Sequence, residues 1–564
     1  MTDQITGGQL VVDMLRSFGV THVYGVVGGQ TLAITDALLD EPTIEFIHTR
    51  HEGAAAVMAD AHGRLTGRPA ACIATTGPGA TNLLTGVGGA FRDSSPAFIL
   101  TCNNNGENIH KDDAQNADHV ELFKPLTKYS RLVAHGSSLK QAMEEAYIVA
   151  MSGNPGPVHL DFARDTIEGF IDNPPTVPAI HPSRSWITQR PAANTVALAA
   201  AAERVAQAER PVIWVGNGAN RSGASEEILK LAETLNAPVV TTFNGIGAVP
   251  TTHDLVFGCV SRMGTSLSTR VLNDADLVLA VGNSLNAVST TRWKRQLPPV
   301  IQVDIDPAMI GRYYSDVTTG IVADATSFAR DLTAALNGKT APAAGRRQTW
   351  IDELRQEETR WWASTEPEPA GTASKDLSPA DVVRALREVS PDDTLLIPDA
   401  GNPGVWSFLW RITEPGSYIK PVGFGNMGFA LPSAIAAAAL DPERPILALI
   451  GDGSLGMSLG EIETLARVGG RVCIVVLNDA SYGNIRQEQI LHFNGRTTGV
   501  DFGHVDFGQV ASGMGVDGEV ISNLDQLKNR VAEVFAGTRP ALIDVPIDRD
   551  ISAWTFPAFV PHSK

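Results

Sequence analysis

Cysteine is scarce in this chain: 564 residues carry four, Cys72, Cys102, Cys259 and Cys473. They are scattered, sit mostly inside apolar runs and have no metal-ligand spacing, so buried free thiols are expected. Basic residues are also in deficit, 44 Lys and Arg against 62 Asp and Glu, for a net charge of −18. That balance argues against a nucleic acid partner, and any phosphate site has to be built locally rather than by the overall field. No stretch approaches the length of a membrane span. The start, MTDQITGGQL, lacks the basic residues and apolar core of a signal peptide. A cytoplasmic protein without a membrane partner is the expectation. The length suits two to four domains, and 43% hydrophobic residues is ample for packed cores.

What is present is organised around residues 445–480. An apolar run, 446–450, reads as a buried strand and stops at Gly451-Asp452-Gly453-Ser454. Leu455, Leu459, Ile462 and Leu465 then recur at helical spacing, and 472–477 is a second apolar strand. This is a βαβ unit whose strands are apolar throughout, as expected for a parallel sheet covered on both faces. Asp452 follows the first strand and Asn478-Asp479 the second. Ligands of such sheets bind beyond the carboxyl ends of the strands. Two neighbouring strand ends offering oxygen ligands suit Mg2+, which takes one or two carboxylates and completes its shell with phosphate oxygens. The glycines admit a phosphate close to the backbone, at the start of a helix that favours its charge.

The same alternation runs through the chain. Residues 23–27, 43–47, 70–75, 97–102 and 158–161 read as strands between helix-like segments. A second set lies at 212–215, 239–242, 277–281 and 300–303, and a third at 394–397, 446–450, 472–477 and 541–545. Short strands alternating with longer helices predict doubly wound parallel sheets. The Pro-rich stretch 173–191 reads as a linker, and 337–377 as a second one with a helix-like run around 350–362. The aromatics of 554–559 follow no period; they either pack on a domain surface or lie over an active-site mouth.

Gly451-Asp452-Gly453, followed after 24 residues by Asn478-Asp479, resembles the thiamine diphosphate-binding motif. Taken alone, such a turn occurs in many α/β proteins. It is joined here by RHEGAA (50–55), TTGPGATN (75–82), PGPVHLD (155–161), VDIDP (303–307) and GFGNMGFALPSAI (423–435). In this order the motifs resemble thiamine diphosphate enzymes of the acetolactate synthase and 2-oxo acid decarboxylase group, over essentially the whole chain. The resemblance implies an α/β fold of three doubly wound parallel-sheet domains. These are a pyrimidine-binding domain over 1–172, a central domain over 192–336 and a diphosphate- and Mg-binding domain over 378–548, with a tail at 549–564.

The resemblance also implies site residues. Glu52 takes the place of the carboxyl group that hydrogen-bonds N1' of the pyrimidine and activates the cofactor. From position alone it is a helix-start carboxylate favoured by the dipole. Asp452, Asn478 and a backbone carbonyl at Ala480 would ligate Mg2+, with Gly451, Gly453 and Ser454 around the diphosphate. Tyr482, Gly483, Asn484 and Ile485 extend that loop, and Asn402 and Pro403 fall on a further diphosphate-contacting loop. Gly28, Gln30, Pro78, Asn82 and Asn426 would contact the cofactor as well. Met427 matches the bulky residue beneath the cofactor, although a core methionine is the commoner reading. In the family the glutamate and the GDG motif of one site come from different subunits, which implies a homodimer or homotetramer with active sites at the interface.

The substrate side departs from the family. Gly28-Gly29-Gln30, Phe91, Gln115 and Lys128 fall where acetolactate synthases line their channel, but Ala114 replaces a Phe before Gln115. His110, Lys111 and His119 either bind a carboxylate, relay protons or decorate an exposed loop, the last being favoured. Glu488 stands where biosynthetic acetohydroxyacid synthases have a tryptophan; it is an acid/base group in the pocket or an outward charge. It counts against a biosynthetic role in branched amino acids. The run 282–287, GNSLNA, lacks the Arg-Phe pattern of FAD-containing synthases, which makes FAD doubtful. Residues 216–221 and 304–306 would serve the ADP of a coenzyme A ester, or no ligand at all. The expected activity is decarboxylation of a small 2-oxo acid such as pyruvate and transfer of the two-carbon unit to a carbonyl acceptor, with Glu52, Gln115 and Glu488 as catalytic residues. The alternatives are a non-oxidative decarboxylase, a 2-hydroxyacyl-coenzyme A lyase, or a catalytically silent regulatory paralogue.

Overall fold

The computed structural model describes residues 4–187, 189–314, 317–337, 344–366 and 376–559. The chain forms two compact units, one of residues 1–189, 421–442 and 456–470, the other of residues 190–420, 443–455 and 471–564.

The first unit is built on a six-stranded sheet. Its strands are β1 (His22–Gly25), β2 (Glu45–His48), β3 (Ala70–Ala74), β4 (Ala97–Asn103), β5 (Ser130–Val133) and β6 (Pro157–Ala163). They are parallel throughout, in the order β2-β1-β3-β4-β6-β5. Every residue of β3, β4 and β6 is buried, as expected of strands covered on both faces. Leu10, Met14 and Phe18 of helix Gly7–Phe18 share one core with Phe98, Leu100, Tyr147 and Phe162. Helix Glu52–Thr66 packs on β1 and β3. Its small residues permit close approach: a Cβ on Gly63 would stand 2.6 Å from the carbonyl of Pro96, and one on Gly86, in helix Leu84–Arg92, 2.6 Å from Ala56. Helix Ala430–Leu440, apolar all round and buried from Ala430 to Ala438, packs against Glu52–Thr66.

The second unit holds two parallel sheets. One contains β7 (Pro211–Val215), β8 (Val239–Thr241), β9 (Val256–Cys259), β10 (Leu277–Val281), β11 (Val300–Asp304) and β12 (Val317–Val322), in the order β9-β8-β7-β10-β11-β12. The other contains β13 (Leu395–Pro398), β14 (Ile446–Gly451), β15 (Val472–Asn478), β16 (Asp517–Val520) and β17 (Ala541–Pro546), in the order β13-β14-β15-β17-β16. Register decides what the strand ends share. Gly451 pairs with Leu477, so Asp452 and Asn478 leave neighbouring strands at the same level, and Asn478 pairs with Pro546.

Besides the short antiparallel pair Ile5–Thr6 and Phe170–Ile171, four described strands of these sheets have no counterpart in the sequence reading: β5, β9, β12 and β16. All four lie at sheet edges; partial exposure breaks the apolar run in β5, β12 and β16, whereas β9 is buried but only four residues long and interrupted by Gly258. The helix expected across 455–465 is two, Asp452–Ser458 and Glu461–Val468, interrupted at Leu459-Gly460. Helix Ala344–Ala363 occupies the middle of the expected linker 337–377 and is packed. Its Trp350, Ile351, Leu354 and Trp361 are buried, and Arg347 donates to the carbonyls of Val205, Leu235 and Ala208 at 2.7–2.9 Å. Residues 338–343 and 367–375 of that linker, and 560–564 of the tail, lie outside the described residues. The rest of the tail packs within its own unit. Phe556 meets Trp406, Phe559 meets Phe408, and Trp361 Nε1 donates to Ala558 O at 2.7 Å. Cys72, Cys102, Cys259 and Cys473 are free and buried, and burial pushes the Cys473 thiol up to about 12.

Candidate active site

In the second unit, three loops meet at the carboxyl ends of β13, β14 and β15. Asp452 opens its helix, buried, with Oδ1 accepting from the Gly453 amide at 2.8 Å. Its Oδ2 is buried without a hydrogen-bond partner. Burial, and then the charge of Asp479, push this carboxyl up to about 7, while the amides of Gly453, Ala480 and Ser481 act in the opposite direction. A buried carboxylate with one free oxygen is a costly arrangement unless a cation answers it. Beside it, Asn478 donates its Nδ2 to Val505 O at 3.1 Å and to both oxygens of Asp544 at 3.0 and 3.2 Å. Its oxygen accepts only a long bond from the Ala480 amide, 3.3 Å. Ala480 adopts φ +51°, a left-handed conformation that non-glycine residues seldom take. Its carbonyl accepts from the Phe502 amide at 3.1 Å, which leaves its second lone pair free.

The surrounding loops complete a cradle. A Cβ on Gly453 would stand 2.7 Å from the Tyr482 ring, and one on Gly483 2.4 Å from Asp479 Oδ2 and 3.2 Å from Asn402 Nδ2. Pro403 and Asn484 border Gly451 and Gly401 in the same way, at 3.7 Å from each ideal Cβ. Asn402 Oδ1 is a second buried oxygen without a partner. Ser454 is buried in the first turn after β14, and Ile485 is exposed on helix Gly483–His492. Glu488 lies half-buried on that same helix. Thus Asn402, Pro403, Gly451, Asp452, Gly453, Asn478, Ala480, Tyr482, Gly483 and Asn484 come together, and the unpartnered oxygen of Asp452 with the weakly engaged oxygen of Asn478 fits an oxygen-seeking cation. Among the described residues no three His, Cys, Asp or Glu side chains gather as a metal cage. A metal here would therefore draw on an amide, a backbone carbonyl and phosphate oxygens.

The first unit carries the other predicted residues. Glu52 is the first residue of its helix, behind an N-cap, His51, whose Nδ1 accepts from the Gly53 amide. Glu52 Oε2 accepts from Asn82 Nδ2 at 2.9 Å, and a Cβ on Gly79 would stand 3.3 Å from Oε1. Pro78 takes the first position of the short helix Pro78–Asn82, where its missing amide costs nothing. Gly77, its cap, has φ +62°. Gln30 accepts from Thr75 at 2.5 Å, and a Cβ on Gly28 would stand 2.5 Å from that same threonine. Asn426 is buried, with its Oδ1 unpartnered and 3.2 Å from the position of a Cβ on Gly89. Met427 is half-buried in the same loop rather than in the core.

Gln115 is exposed with φ +59°, and its carbonyl accepts from Thr76 at 3.2 Å. Phe91 is half-buried, and Lys128 spends its ammonium on the carbonyls of Ser152 and Asn154 at 2.8 Å each. His110 and Lys111 are exposed as expected, but His119 is fully buried, which corrects the exposed-loop reading. Its Nε2 accepts from the Gly77 amide at 3.0 Å and its Nδ1 faces Asp161 Oδ1 at 2.9 Å. Asp161 also accepts from Thr101 and Asn103. His119 therefore anchors the loop that carries Asn82, a role its sequence neighbourhood did not reveal.

Sequence reasoning also missed Asp544 and Glu461. Asp544 is fully buried in β17, and a lone acid inside the apolar run ALIDVP was the available signal. Glu461 accepts from the backbone amides of Arg50 and His51; nothing in the sequence separates it from Glu463, which pairs with Arg467. Around the central sheet, Gly216 and Gly218 abut Gly282, and Asn283 and Asn286 hold a tight turn through the amides of Leu285, Val288 and Ser289.

Comparison with known proteins identifies the family. Residues 5–122 match the N-terminal TPP binding domain of thiamine pyrophosphate enzymes, 198–332 the central domain and 399–545 the C-terminal TPP binding domain. A probable acetolactate synthase large subunit of Methanocaldococcus jannaschii is 31% identical over 553 residues, covering 96% of this chain and 92% of its own. The acetolactate synthase large subunit of Haemophilus influenzae is 30% identical over 560 residues, 98% of this chain and 96% of its own. Isozyme 3 of Escherichia coli is 30% identical over 559 residues, 97% and 95%. Among the described residues no helix is long and apolar enough to cross a membrane. With full-length similarity and all three domains matched, the chain belongs to the thiamine diphosphate-dependent enzymes of the acetolactate synthase type.

Proposed function

We propose that the enzyme is a thiamine diphosphate- and Mg2+-dependent carboligase. It decarboxylates a small 2-oxo acid such as pyruvate and joins the two-carbon unit to a second carbonyl compound. The observation that carries this reading is the buried, unpartnered Asp452 Oδ2 beside the oriented amide of Asn478. Asp452, Asn478 and the Ala480 carbonyl would hold Mg2+, while Ser454, Asn402, Asn484 and the glycine-lined turns receive the diphosphate. Gly28, Gln30, Pro78, Asn82, Asn426 and Met427 border the organic part of the cofactor in this reading, which takes 1–172 as the pyrimidine half and 378–548 as the diphosphate half. Thiamine diphosphate, when bound, supplies the nucleophilic carbon and the electron sink for decarboxylation.

The protein's own part is activation and orientation. Glu52 would hydrogen-bond the pyrimidine nitrogen of the bound cofactor and hold a proton there, and Asn82 restrains its carboxyl through the 2.9 Å bond. Gln115 and Glu488 are the acid/base and orienting groups proposed on the substrate side. Glu488 also supports a second reading, a decarboxylase or 2-hydroxyacyl-coenzyme A lyase, because it replaces the family's acceptor-selecting tryptophan. Retention of Glu52, Asp452 and Asn478 speaks against a silent paralogue. As in the family, the reading implies a homodimer or homotetramer, and it omits FAD because 282–287 lacks the flavin pattern.

Mass spectrometry of products from a panel of 2-oxo acids, aldehydes and acyl-coenzyme A esters tests it. An acetolactate-like hydroxy acid from pyruvate is expected. Free aldehyde alone identifies a decarboxylase, ester cleavage a lyase, and no product despite bound cofactor a silent paralogue. The visible absorbance spectrum of the purified protein decides FAD.

A further inference from the structure

Glu461 is a buried acid that makes no ion pair among the described residues. It is 1% exposed at the start of helix Glu461–Val468. Its Oε1 accepts from the backbone amides of Arg50 at 3.1 Å and His51 at 3.0 Å, and its Oε2 from Arg50 at 3.3 Å and from the Thr464 hydroxyl at 2.7 Å. The same segment touches this turn twice more. Arg467 donates to His48 O at 2.8 Å, and a Cβ on Gly460 would stand 3.3 Å from Arg50 Cβ. Residues 48–51 form the turn between β2 and the helix that Glu52 opens. The Thr49 amide still donates to Gly25 O at 2.9 Å, but the amides of Arg50 and His51 lie past the ladder and before the helix, and would be costly if left unmet. Water or a hydroxyl would satisfy them, but charge-assisted bonds to one fixed carboxylate also define where the turn lies.

We infer that Glu461 is a positioning residue for Glu52: by gripping the amides of Arg50 and His51 it sets the turn from which the Glu52 carboxyl projects toward Asn82. Asn82 restrains that carboxyl from the side-chain end and Glu461 from the backbone end. A misplacement of about 1 Å in such a group costs on the order of a hundredfold in rate. This inference rests on the reading of Glu52 as the activating carboxyl.

The experiment separates the two. Glu461→Gln keeps the buried volume but replaces an all-acceptor group with one that presents a donor to the two amides. In cofactor-free protein, hydrogen exchange of the amides of residues 50 and 51 should quicken at least about tenfold, with β3 and β4 unchanged. In the holoenzyme, deuterium exchange at C2 of bound thiamine diphosphate, read by quenched NMR, should slow at least about tenfold, and kcat should fall far more than KM rises. Unchanged amide and C2 exchange in Glu461→Gln, with C2 exchange slowed in Glu52→Gln, overturns the positioning role alone. Wild-type C2 exchange in Glu52→Gln overturns the reading beneath it. Should Glu461→Gln fail to fold, Thr464→Val removes one bond to Glu461 and should slow C2 exchange in the same direction; no slowing there overturns the inference.

Discussion

Asn478 is held by Asp544: its Nδ2 donates to both carboxylate oxygens, at 3.0 and 3.2 Å, so its own oxygen is turned away from the acid. Asp544 is itself fully buried and accepts from the Phe507 amide at 3.0 Å. Outer partners of this kind orient a ligand and are commonly worth ten- to a hundredfold in metal affinity. Asp544→Asn preserves shape but offers an amide to an amide. Mg2+-dependent binding of thiamine diphosphate, measured by calorimetry, should weaken by roughly ten- to a hundredfold. An unchanged affinity would remove Asp544 from the site.

Asp452→Ala removes both the proposed metal ligand and a buried carboxyl whose second oxygen has no hydrogen-bond partner. Metal-dependent cofactor binding should be lost, whereas thermal stability of the cofactor-free protein at pH 8 should hold or rise, because a carboxyl that burial raises to about 7 disfavours folding once ionised. The two readouts move in opposite directions for a metal ligand. A cofactor affinity equal to wild type would sink the Mg2+ assignment.

Glu52→Gln retains the size of the side chain and a group that can meet Asn82. Cofactor affinity should stay within about threefold, while turnover falls by roughly two orders of magnitude or more. Near-wild-type turnover would refute Glu52 as the activator.

His159 predicts an acid limit to stability. It is fully buried between Thr101 and Ser130, at 2.8 Å from each, and stacks on Phe123. Burial drives its pKa down to about 3 from 6.5. The unfolded chain therefore takes a proton below pH 6.5 that the folded chain refuses until about pH 3. Stability is whole above that window and falls through it, by about 1.4 kcal/mol per pH unit for one such group. His62 behaves likewise, lowered to about 3 by burial and then by His22. The thermal midpoint should drop between pH 6.5 and 4.5, and less steeply in His159→Asn; parallel slopes would contradict this.

Much of the fold was legible because central strands of a parallel sheet must be apolar on both faces. The runs at 70–74, 97–103, 446–451 and 472–478 announce themselves in this way. Edge strands such as β5 and β16 lack that signature, since one side meets solvent or loops. His119 illustrates the harder case. Grouped with His110 and Lys111 it reads as surface, yet it is buried on Asp161 because pairing of β4 with β6 brings the acid beneath the loop.

The sequence by itself determined the family, the cofactor and the strand ends where the GDG turn and Asn478 sit, because those depend on local spacing and on motifs carried in order. Tertiary structure alone decided how the predicted residues are held: Asp544 on Asn478, Asn82 on Glu52, Glu461 on the turn before it. These partners lie tens to hundreds of residues apart in the chain, and a hydrogen bond depends on distance and direction in space. Strand register and helix packing create those distances, and neither is written in the residues of any one motif.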